Sequence, residues 1–497
     1  MSDITAAASV LLARGPQSSE VFVVRRSETL RAFGGFHAFP GGKVTRADAE
    51  LAVHLGDASP CAAQRVAAVR ELFEETGVLV ARRPDNSFPA PDPELTRLRS
   101  ELLADRLALR DVLAGQGLRL HIDDMPYAGS LVTPAFAPLR FDTAFFFAAL
   151  PPSQSPEVWP GELTAGEWYT ADALLQGWAR GELLVSPPTI SLLELIRGRA
   201  VAELPQRIRP VLDTLASGGL PPILFAPAVR MLPLFSHGLP PSTHTNAYLV
   251  GAERVHLLDP GPTDADEQQR LFDVLDALPA EGRRLHAVVL THHHPDHIGA
   301  AAACAERYGV PVLAHPLTAD LLKGKVEVRQ LVRDGDRLDL GGGDRLEAIF
   351  TPGHAPGHLA FYEPRHRLLF AGDMVSTLSS VVIAPPEGKL AVYLDSLRRL
   401  RTYPARLLLP AHGPPSARPD YTLAETLEHR RQREEELLAV LGERPRTVPE
   451  LAVEIYRGLP AKLMRFGELQ VLAGLLKLQD EGRASAAADG TTWRKVG

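Results

Sequence analysis

The stretch "LHAVVLTHHHPDHIGA", residues 285–300, decides the fold of the second half of the chain. Its first six residues are mostly apolar and β-branched, which predicts a buried strand. His292, His294, Asp296 and His297 follow at the strand end, where alternate side chains can converge on one point. Imidazole suits zinc and similar metals, and aspartate adds a charged oxygen. The stretch therefore predicts a metal site; a histidine-rich surface loop is the alternative.

Three later motifs repeat this placement at the ends of predicted strands. They are His354 in "TPGHAPGH", Asp373 in "FAGD" and His412 in "PAHG". Core histidines would not fall repeatedly at strand ends beside Gly and Pro, so we expect these side chains to gather at one sheet edge. The pattern therefore predicts a cluster of metal-binding side chains at that edge.

These motifs resemble those of the metallo-β-lactamase-fold hydrolases, and the resemblance covers about 226–430. It implies an αβ/βα sandwich with two Zn²⁺, or Fe²⁺ or Mn²⁺, in a shared centre. Two metals that share a water lower its pKa toward about 7, so the resemblance implies hydrolysis without a protein nucleophile. One metal is expected on His292, His294 and His354, the second on Asp296, His297 and His412, with Asp373 as the bridge. Asp296 is also a candidate catalytic residue. Asp259 of "LLDPG" matches the first motif, with an architectural role, although a plain strand-to-turn aspartate is the alternative. We expect His293 to point away.

Within this superfamily, "THTNAYLVG", "YLDSLRRL" and "HRRQREEELL" most resemble the β-lactamase-like-2 group. From about residue 445, two helical stretches followed by "ASAAADGTTWRKVG" suggest a C-terminal winged helix. Tyr393, the first residue of "YLDSLRRL", is a candidate for substrate binding. The group includes an endoribonuclease acting on single-stranded RNA, and its bacterial relatives are often taken to be thioesterase-like.

The charged helix near residue 430 allows two interpretations. His429, Arg430, Arg431 and Arg433 could meet phosphates, or the i,i+4 pairs with Glu434 and Glu435 could simply support an exposed helix. From Arg431 onward the chain has 11 Lys/Arg against 10 Asp/Glu, which does not favour a basic nucleic-acid reader.

A second candidate site lies in "VRELFEETG", residues 69–77. Glu71, Glu74 and Glu75 sit at i, i+3 and i+4, on one face of a predicted helix that Gly77 would end. Three like charges there repel one another unless a cation such as Mg²⁺ or Mn²⁺ binds them. A glutamate-rich helix surface is the alternative.

With "FPGG" upstream, the stretch resembles the Nudix box. This resemblance implies an α/β/α sandwich fold and a catalytic role for the three glutamates. Arg70 is expected to brace the carboxylates and to contact substrate. The Gly-to-Arg spacing is about doubled, and the glutamate usual between them is missing; Asp48 or Glu50 could substitute.

The long insert and "RRSETLRAFGGFHAFPGG" resemble the branch of peroxisomal coenzyme A diphosphatases, over about 5–200. Val24 replaces the customary threonine of that signature. Arg26 and Arg31 are the candidate substrate-binding arginines, because the guanidinium fork pairs with phosphate. Surface solubility is their alternative role.

The alternation of short strands and helices from about residue 231, together with the two resemblances, predicts a multidomain α/β and α+β protein. A chain of 497 residues suggests two to four domains. We place a Nudix domain at 1–205, a linker at 206–230, a metallo-β-lactamase-fold domain at 231–440 and a winged-helix-like domain at 441–497. Two distant cysteines, the N-terminal sequence and the lack of long apolar runs predict a cytoplasmic protein without disulfide, signal peptide or membrane span.

Together the motifs predict a bifunctional metal-dependent hydrolase. We expect a pyrophosphohydrolase acting on a nucleotide-type small molecule such as coenzyme A, joined to a dinuclear-metal hydrolase of an ester, thioester or phosphodiester. The alternative is a single-stranded RNA endoribonuclease, with the Nudix domain trimming nucleotides or acting as a ligand sensor. RNA is the less favoured partner, and a homodimer is left open.

Overall fold

The computed structural model describes residues 4–15, 19–30, 33–134, 137–216, 223–488 and 490–496. Arg31, a candidate substrate-binding residue, lies outside the described residues. The chain divides into two compact units, Met1–Pro227 and Ala228–Gly497.

The first unit contains eight strands and seven α-helices in its described part. The strands are β1 Ile4–Arg14, β2 Glu20–Arg26, β3 His37–Ala38, β4 Gly41–Lys43, β5 Tyr127–Val132, β6 Arg140–Ala149, β7 Leu163–Thr170 and β8 Ile223–Ala226. The helices are α1 Arg46–His54, α2 Ala62–Thr76, α3 Pro93–Leu103, α4 Leu109–Gly115, α5 Ala171–Ala179, α6 Pro187–Ile196 and α7 Leu204–Ala216.

The first unit is a three-layer sandwich around the mixed sheet of β1 to β7. Strand β1 pairs parallel with β6 and antiparallel with β2 and β4. Successive β1 residues point to opposite faces: Val10 and Leu12 pack with α2 on one face, whereas Leu11 and Ala13 pack with α5 and α6 on the other. This arrangement confirms the predicted α/β/α fold.

The segment predicted as a linker, 206–230, contains ordered elements. It includes most of α7 and all of β8, and the carbonyl of Phe225 accepts a hydrogen bond from Trp178 Nε1 at 3.1 Å. The prolines and glycines that suggested a linker include Pro210, which lies inside α7.

The second unit contains fourteen strands and eight α-helices in its described part. The strands are β9 Val229–Phe235, β10 His244–Val250, β11 Arg254–Leu258, β12 Arg284–Val289, β13 Val312–Ala314, β14 Val328–Leu331, β15 Arg337–Gly341, β16 Asp344–Phe350, β17 Leu359–Glu363, β18 Leu368–Ser376, β19 Leu407–His412, β20 Arg446–Thr447, β21 Ala484–Ala486 and β22 Thr492–Lys495. The helices are α8 Ala265–Ala277, α9 Pro295–Ile298, α10 Ala301–Tyr308, α11 Pro316–Leu321, α12 Leu390–Leu400, α13 Pro419–Val440, α14 Val448–Ile455 and α15 Met464–Asp480.

Two sheets form the centre of this unit. One runs β14-β13-β12-β11-β10-β9 and the other β15-β16-β17-β18-β19. They meet where the Tyr248 hydroxyl donates to the carbonyl of Pro410 at 2.7 Å and the Tyr248 ring lies 5.2 Å from that of Phe370. Helix α12 covers the outer face of the second sheet. The predicted αβ/βα sandwich is therefore confirmed.

The C-terminal segment forms a small three-stranded sheet, β20-β22-β21, with α14 and α15. Leu451, Leu475 and Trp493 build its core together with Leu437 at the end of α13. This is the predicted winged helix, and it packs directly on the long helix α13.

Among the described residues, no helix combines the length and the apolar character needed to cross a membrane. Both cysteines, Cys61 and Cys304, are free, as predicted.

Candidate active sites

The histidine centre forms at one edge of the two sheets of the second unit. Within each of three groups, the ligand atoms lie within 4.8 Å of one another. The groups are His292, His294 and His354; His292, His297 and Asp373; and Asp296, His297 and His412. All seven residues predicted as ligands in this unit are thus brought together.

The carboxylate of Asp373 lies between the two halves of the centre. Its Oδ2 is 3.4 Å from Nε2 of His354, and its Oδ1 is 3.5 Å from Nε2 of His297 and 3.4 Å from Nε2 of His412. On the first side, Nδ1 of His294 lies 3.0 Å from Nε2 of both His292 and His354. The geometry matches a carboxylate that faces two neighbouring cation positions with one oxygen each.

The donor set fits a pair of divalent metal ions. Buried polar atoms are normally paired, yet Nε2 of His297 and Oδ1 of Asp373 are buried without a hydrogen-bond partner. Both atoms point into the centre. Histidine nitrogens with two carboxylates suit Zn²⁺, Fe²⁺ or Mn²⁺.

Hydrogen bonds at Nδ1 fix the orientation of four of the histidine rings. His354 donates from Nδ1 to the carbonyl of Val382, and His412 to that of His244, each at 2.9 Å. His297 donates to Oδ2 of Asp259 at 3.0 Å, and His292 to the hydroxyl of Thr291 at 2.9 Å. Because Nδ1 carries the proton in each of these hydrogen bonds, Nε2 of each ring is left to face the candidate metal position.

Asp259 has the architectural role that its motif implied. It is buried, has a positive φ of 48°, and accepts hydrogen bonds from the amide and the hydroxyl of Thr291 besides that from His297. A non-glycine residue in this backbone region is uncommon and marks a constrained position. Asp259 thus fixes both the strand end and one ligand.

His358 and Ser242 are positioning residues that the sequence analysis missed. Nε2 of His358 accepts the amide hydrogen of Asp373 at 3.1 Å, while its Nδ1 donates to Thr351 at 2.8 Å. The hydroxyl of Ser242 lies 2.9 Å from Nδ1 of His412. The second histidine of "TPGHAPGH" was a usable signal for His358, whereas nothing in "PPST" indicates Ser242.

The prediction that Asp373 follows the end of a strand is wrong, because Asp373 lies within β18. The pairing of β18 with β19 shifts register around Gly372, which has a φ of 50°. This bulge turns the carboxylate toward the histidines although the strand continues.

The electrostatics divide the centre into two sides. Burial and the neighbouring His354 lower the pKa of His294 to about 3, so its ring is neutral. Burial would also lower the pKa of His297, but Asp373, Asp296 and Asp259 raise it well above the ordinary value. Anionic character is therefore concentrated around His297, where a cation is best stabilised.

His293 lies outside these groups. Its Nε2 is 2.7 Å from Oε1 of Glu387, in the loop between β18 and α12. His293, His294 and Glu387 form a further half-buried group within 4.8 Å.

Two predicted substrate contacts need correction. The Tyr393 side chain is fully buried, and its hydroxyl donates to the carbonyl of Met374 at 2.8 Å, so it does not face a substrate. The Arg70 guanidinium is also buried and is saturated by protein groups. Both residues support neighbouring site residues instead of touching substrate.

The carboxylate site lies on α2 in the first unit. Helix α2 ends at Gly77 in a left-handed conformation, as predicted. Nη1 of Arg70 lies 2.9 Å from Oε1 of Glu71 and 2.8 Å from Oε2 of Glu74, whereas Oε2 of Glu75 accepts the amide hydrogen of Gly41 at 2.9 Å. Within the described part of this unit, no three carboxylates meet within 4.8 Å.

Asp48, in the long insert of the box, contacts Arg70. Its carboxylate is almost fully buried and accepts a hydrogen bond from Nε of Arg70 at 2.9 Å. It also accepts the amide hydrogen of Thr45, the residue that caps the N-terminus of α1. Glu50 instead pairs with exposed Arg46. Asp48 therefore orients the arginine and does not replace the missing glutamate in the site.

The glutamates of α2 resist ionisation. Burial raises the pKa of Glu74 to about 7, and burial with the charge of Glu71 raises that of Glu75 to about 8. Glu162, which the sequence analysis missed, lies close enough to raise the pKa of Glu71 and Glu75, whereas Arg26 lowers that of Glu75. A divalent cation would relieve this accumulation of carboxylates.

Comparisons with known proteins agree with these sites. Three family profiles match: "Metallo-beta-lactamase superfamily" over residues 241–412, "NUDT19 Nudix domain" over 50–197 and "Beta-lactamase associated winged helix domain" over 447–493. The predicted order of the domain types is confirmed, and the matches support a hydrolase.

Three curated relatives share part of the chain. A hydroxyacylglutathione hydrolase of Rhizobium meliloti is 35% identical over 28% of this chain and 52% of its own length. The lactamase-like protein adaB of Aspergillus niger is 31% identical over 44% and 70%, respectively. An atrochrysone carboxyl ACP thioesterase of Passalora fulva is 29% identical over 43% and 63%. Two of the three are thus matched over less than two thirds of their own length.

The second unit holds the converging histidines and carboxylates, and the match to adaB spans more than two thirds of that relative. The chain therefore belongs to the metallo-beta-lactamase superfamily, with a NUDT19-type Nudix domain before that fold and an associated winged helix domain after it.

Proposed function

We propose that the histidine centre hydrolyses an acyl thioester and that the Nudix domain cleaves the pyrophosphate of a coenzyme A-type nucleotide. The observation that carries the first part is Asp373, which faces both halves of the centre with one carboxylate oxygen each. Divalent metal ions bound there supply an activated water and a Lewis acid for the acyl carbonyl.

The protein's own groups prepare this chemistry. Asp373 and Asp296 hold negative charge beside His297 and His412, and the outer hydrogen bonds of Asp259 and Val382 fix the rings before substrate arrives. Such preorganisation lowers the reorganisation needed in the transition state. A serine or cysteine nucleophile is not required.

The thioester class is supported by the relatives. One is named for hydrolysis of hydroxyacylglutathione and another as a thioesterase acting on an acyl carrier protein. An acyl-coenzyme A would give each domain one bond to cleave: the thioester in the histidine centre and the pyrophosphate in the Nudix domain.

RNA is the weaker candidate because the helix that could meet phosphates is electrostatically balanced. Arg431 pairs with Glu428 and Glu435, and Arg433 pairs with Glu436. Arg430 is buried. These arginines leave little net positive charge on α13.

For the Nudix domain, one observation favours a second candidate, a ligand sensor without catalysis. Glu71 and Glu74 are both engaged by Arg70, and the three box glutamates do not converge. A catalytic site would need the cation to draw these carboxylates together.

The test is to incubate the full chain with acyl-coenzyme A, coenzyme A and single-stranded RNA, with Mg²⁺ and Zn²⁺, and to identify products by mass. We expect free thiol and 3′,5′-ADP. His294→Ala should abolish thiol release, with exposed His286→Ala as the matched control, and Glu74→Gln should abolish pyrophosphate cleavage. RNA fragments with coenzyme A untouched would reject the proposal, and pyrophosphate cleavage unaffected by Glu74→Gln would reject a catalytic role for the box.

A further inference from the structure

Arg430, in the middle of α13, is a buried cation with an unusual set of partners. Only 7% of its surface is exposed. Within the described part of the chain, its guanidinium donates to the carbonyl of Val381 and to Oε1 of Gln470, the latter at 2.8 Å, and lies 5.3 Å from the ring centroid of Tyr393. These partners are a carbonyl, an amide and an aromatic ring rather than a carboxylate.

A buried cation without a neighbouring carboxylate is an expensive way to stabilise a fold, since an apolar side chain would fill the same space without losing hydration. What arginine adds is a rigid fork that can bond separate elements at once. Here the fork joins a loop beside the histidine centre to a helix of the winged-helix domain.

The first arm of this connection reaches His354. Val381 lies next to Val382, whose carbonyl accepts the Nδ1 hydrogen of His354 at 2.9 Å. The position of this short backbone segment therefore sets the direction in which His354 presents Nε2. Arg430 holds the same segment through the carbonyl of Val381.

The second arm reaches the neighbour of Asp373. The ring of Tyr393 lies beneath the Arg430 guanidinium, and its hydroxyl bonds the carbonyl of Met374, which follows Asp373 in β18. Arg430 thus contacts both the segment that bonds His354 and the tyrosine that bonds the residue after Asp373.

The winged helix holds the other end of the fork. Gln470 lies in α15, which is locked to α13 by the ion pair of Lys477 with Glu434 at 2.6 Å, in a largely buried position. The helices also approach closely, since a Cβ on Gly474 would lie 2.8 Å from Leu437. A displacement of α15 would be transmitted to Arg430.

We propose that Arg430 is a positioning residue through which the docked winged-helix domain holds the loop at Val381 and Val382, and thereby His354, in its metal-binding orientation. This inference rests on the proposed function only in that the histidine centre binds divalent metal. The identity of the substrate does not enter it. It assigns the winged helix a role inside the metal centre's support rather than in nucleic-acid binding.

The test measures Zn²⁺ affinity of the full chain by competition with a chromophoric chelator, together with the visible spectrum of the Co²⁺-loaded protein. Arg430→Met should weaken one metal equivalent about 10- to 100-fold, as loss of an outer support does, and change the Co²⁺ bands. Arg430→Lys should fall between, because it keeps the charge but lacks the fork. Arg431→Ala, at the exposed neighbouring position, should match the wild type.

Wild-type zinc affinity and Co²⁺ bands in a folded Arg430→Met protein would overturn the proposal. If that variant does not fold, Gln470→Leu decides, since it cuts only the winged-helix arm: a measurable loss of affinity supports the coupling, and an unchanged affinity rejects it. A wild-type protein that binds zinc normally but releases no thiol would reject the thioester function and leave this inference standing.

Discussion

The histidine centre and the glutamate helix are two ways of building a metal site. In the first, candidate ligands come from β18, from β19, from helix α9 and from the loops after β12 and β16, and their donor atoms lie within 4.8 Å of one another in defined groups. In the second, all three carboxylates come from one helix, and an internal arginine occupies two of them.

The two sites differ in how far their ligands are arranged before a metal ion binds. Hydrogen bonds at Nδ1 and the bulge at Gly372 organise the histidine centre before any ion arrives. The glutamates instead keep raised pKa values, so a cation must first displace protons and separate Arg70 from its partners. We expect the first site to bind tightly and the second weakly and with a strong pH dependence.

The largest expected effect concerns Asp373, which lies between the two halves of the histidine centre. Asp373→Asn should lower thioester hydrolysis about 1000-fold, because both cation positions lose their shared charge, and should leave pyrophosphate cleavage unchanged. Zinc content and the two activities are measured on the same sample. Asp395→Asn, at an exposed position paired with Arg398, is the control. Equal loss of both activities would show that the sites are not independent.

The second effect concerns the brace of the glutamate helix. Asp48→Asn should lower the free energy of unfolding of the first unit by about 3 kcal/mol, because buried Arg70 loses its two-oxygen partner. Denaturant-dependent hydrogen exchange of α2 measures it. Glu50→Gln, which removes only an exposed pair, should change the value by less than about 0.5 kcal/mol. Similar effects of the two variants would contradict the assigned brace.

The third effect is a pH dependence confined to the first unit. The pKa values of Glu74 and Glu75 are about 7 and about 8 in the folded state, above the ordinary 4.5. Between pH 4.5 and these raised values, the folded state therefore binds more protons than the unfolded state. The free energy of unfolding therefore falls as pH rises from about 5 to 8 in chelator, by on the order of 2 kcal/mol after local relaxation.

Mg²⁺ should reverse this fall, and Glu75→Gln should flatten it. Hydrogen exchange of α2 at several pH values, with Mg²⁺ and with chelator, gives the comparison. Stability that rises with pH in chelator would show that the glutamates are ionised without a cation.

The smallest effect concerns an outer support of the histidine centre. Ser242→Ala should lower Zn²⁺ affinity about 10-fold, since His412 keeps its bond to the carbonyl of His244. Competition with a chelator measures it, and Ser485→Ala in the winged helix is the control. A loss as large as that of Asp373→Asn would mean that Ser242 orients more than one ligand.

Most of the two sandwiches and the histidine ligands could be predicted because strand period, turn residues and ligand types coincide in short motifs such as 291–297. What could not be predicted depends on partners distant in sequence. The contact of Asp48 with Arg70 spans 22 positions, and the burial of Tyr393 and Arg430 depends on how α12, α13 and α15 pack. A side chain's type does not reveal whether such packing will cover it.

The two free thiols differ in a way that makes the protein convenient for spectroscopy. Cys304 is fully buried, and burial raises the pKa of its thiol to about 12, so it reacts slowly with alkylating reagents. Cys61 is partly exposed and stands immediately before α2. A maleimide dye at neutral pH should therefore label Cys61 in the native protein and report on the glutamate helix, without any engineered cysteine.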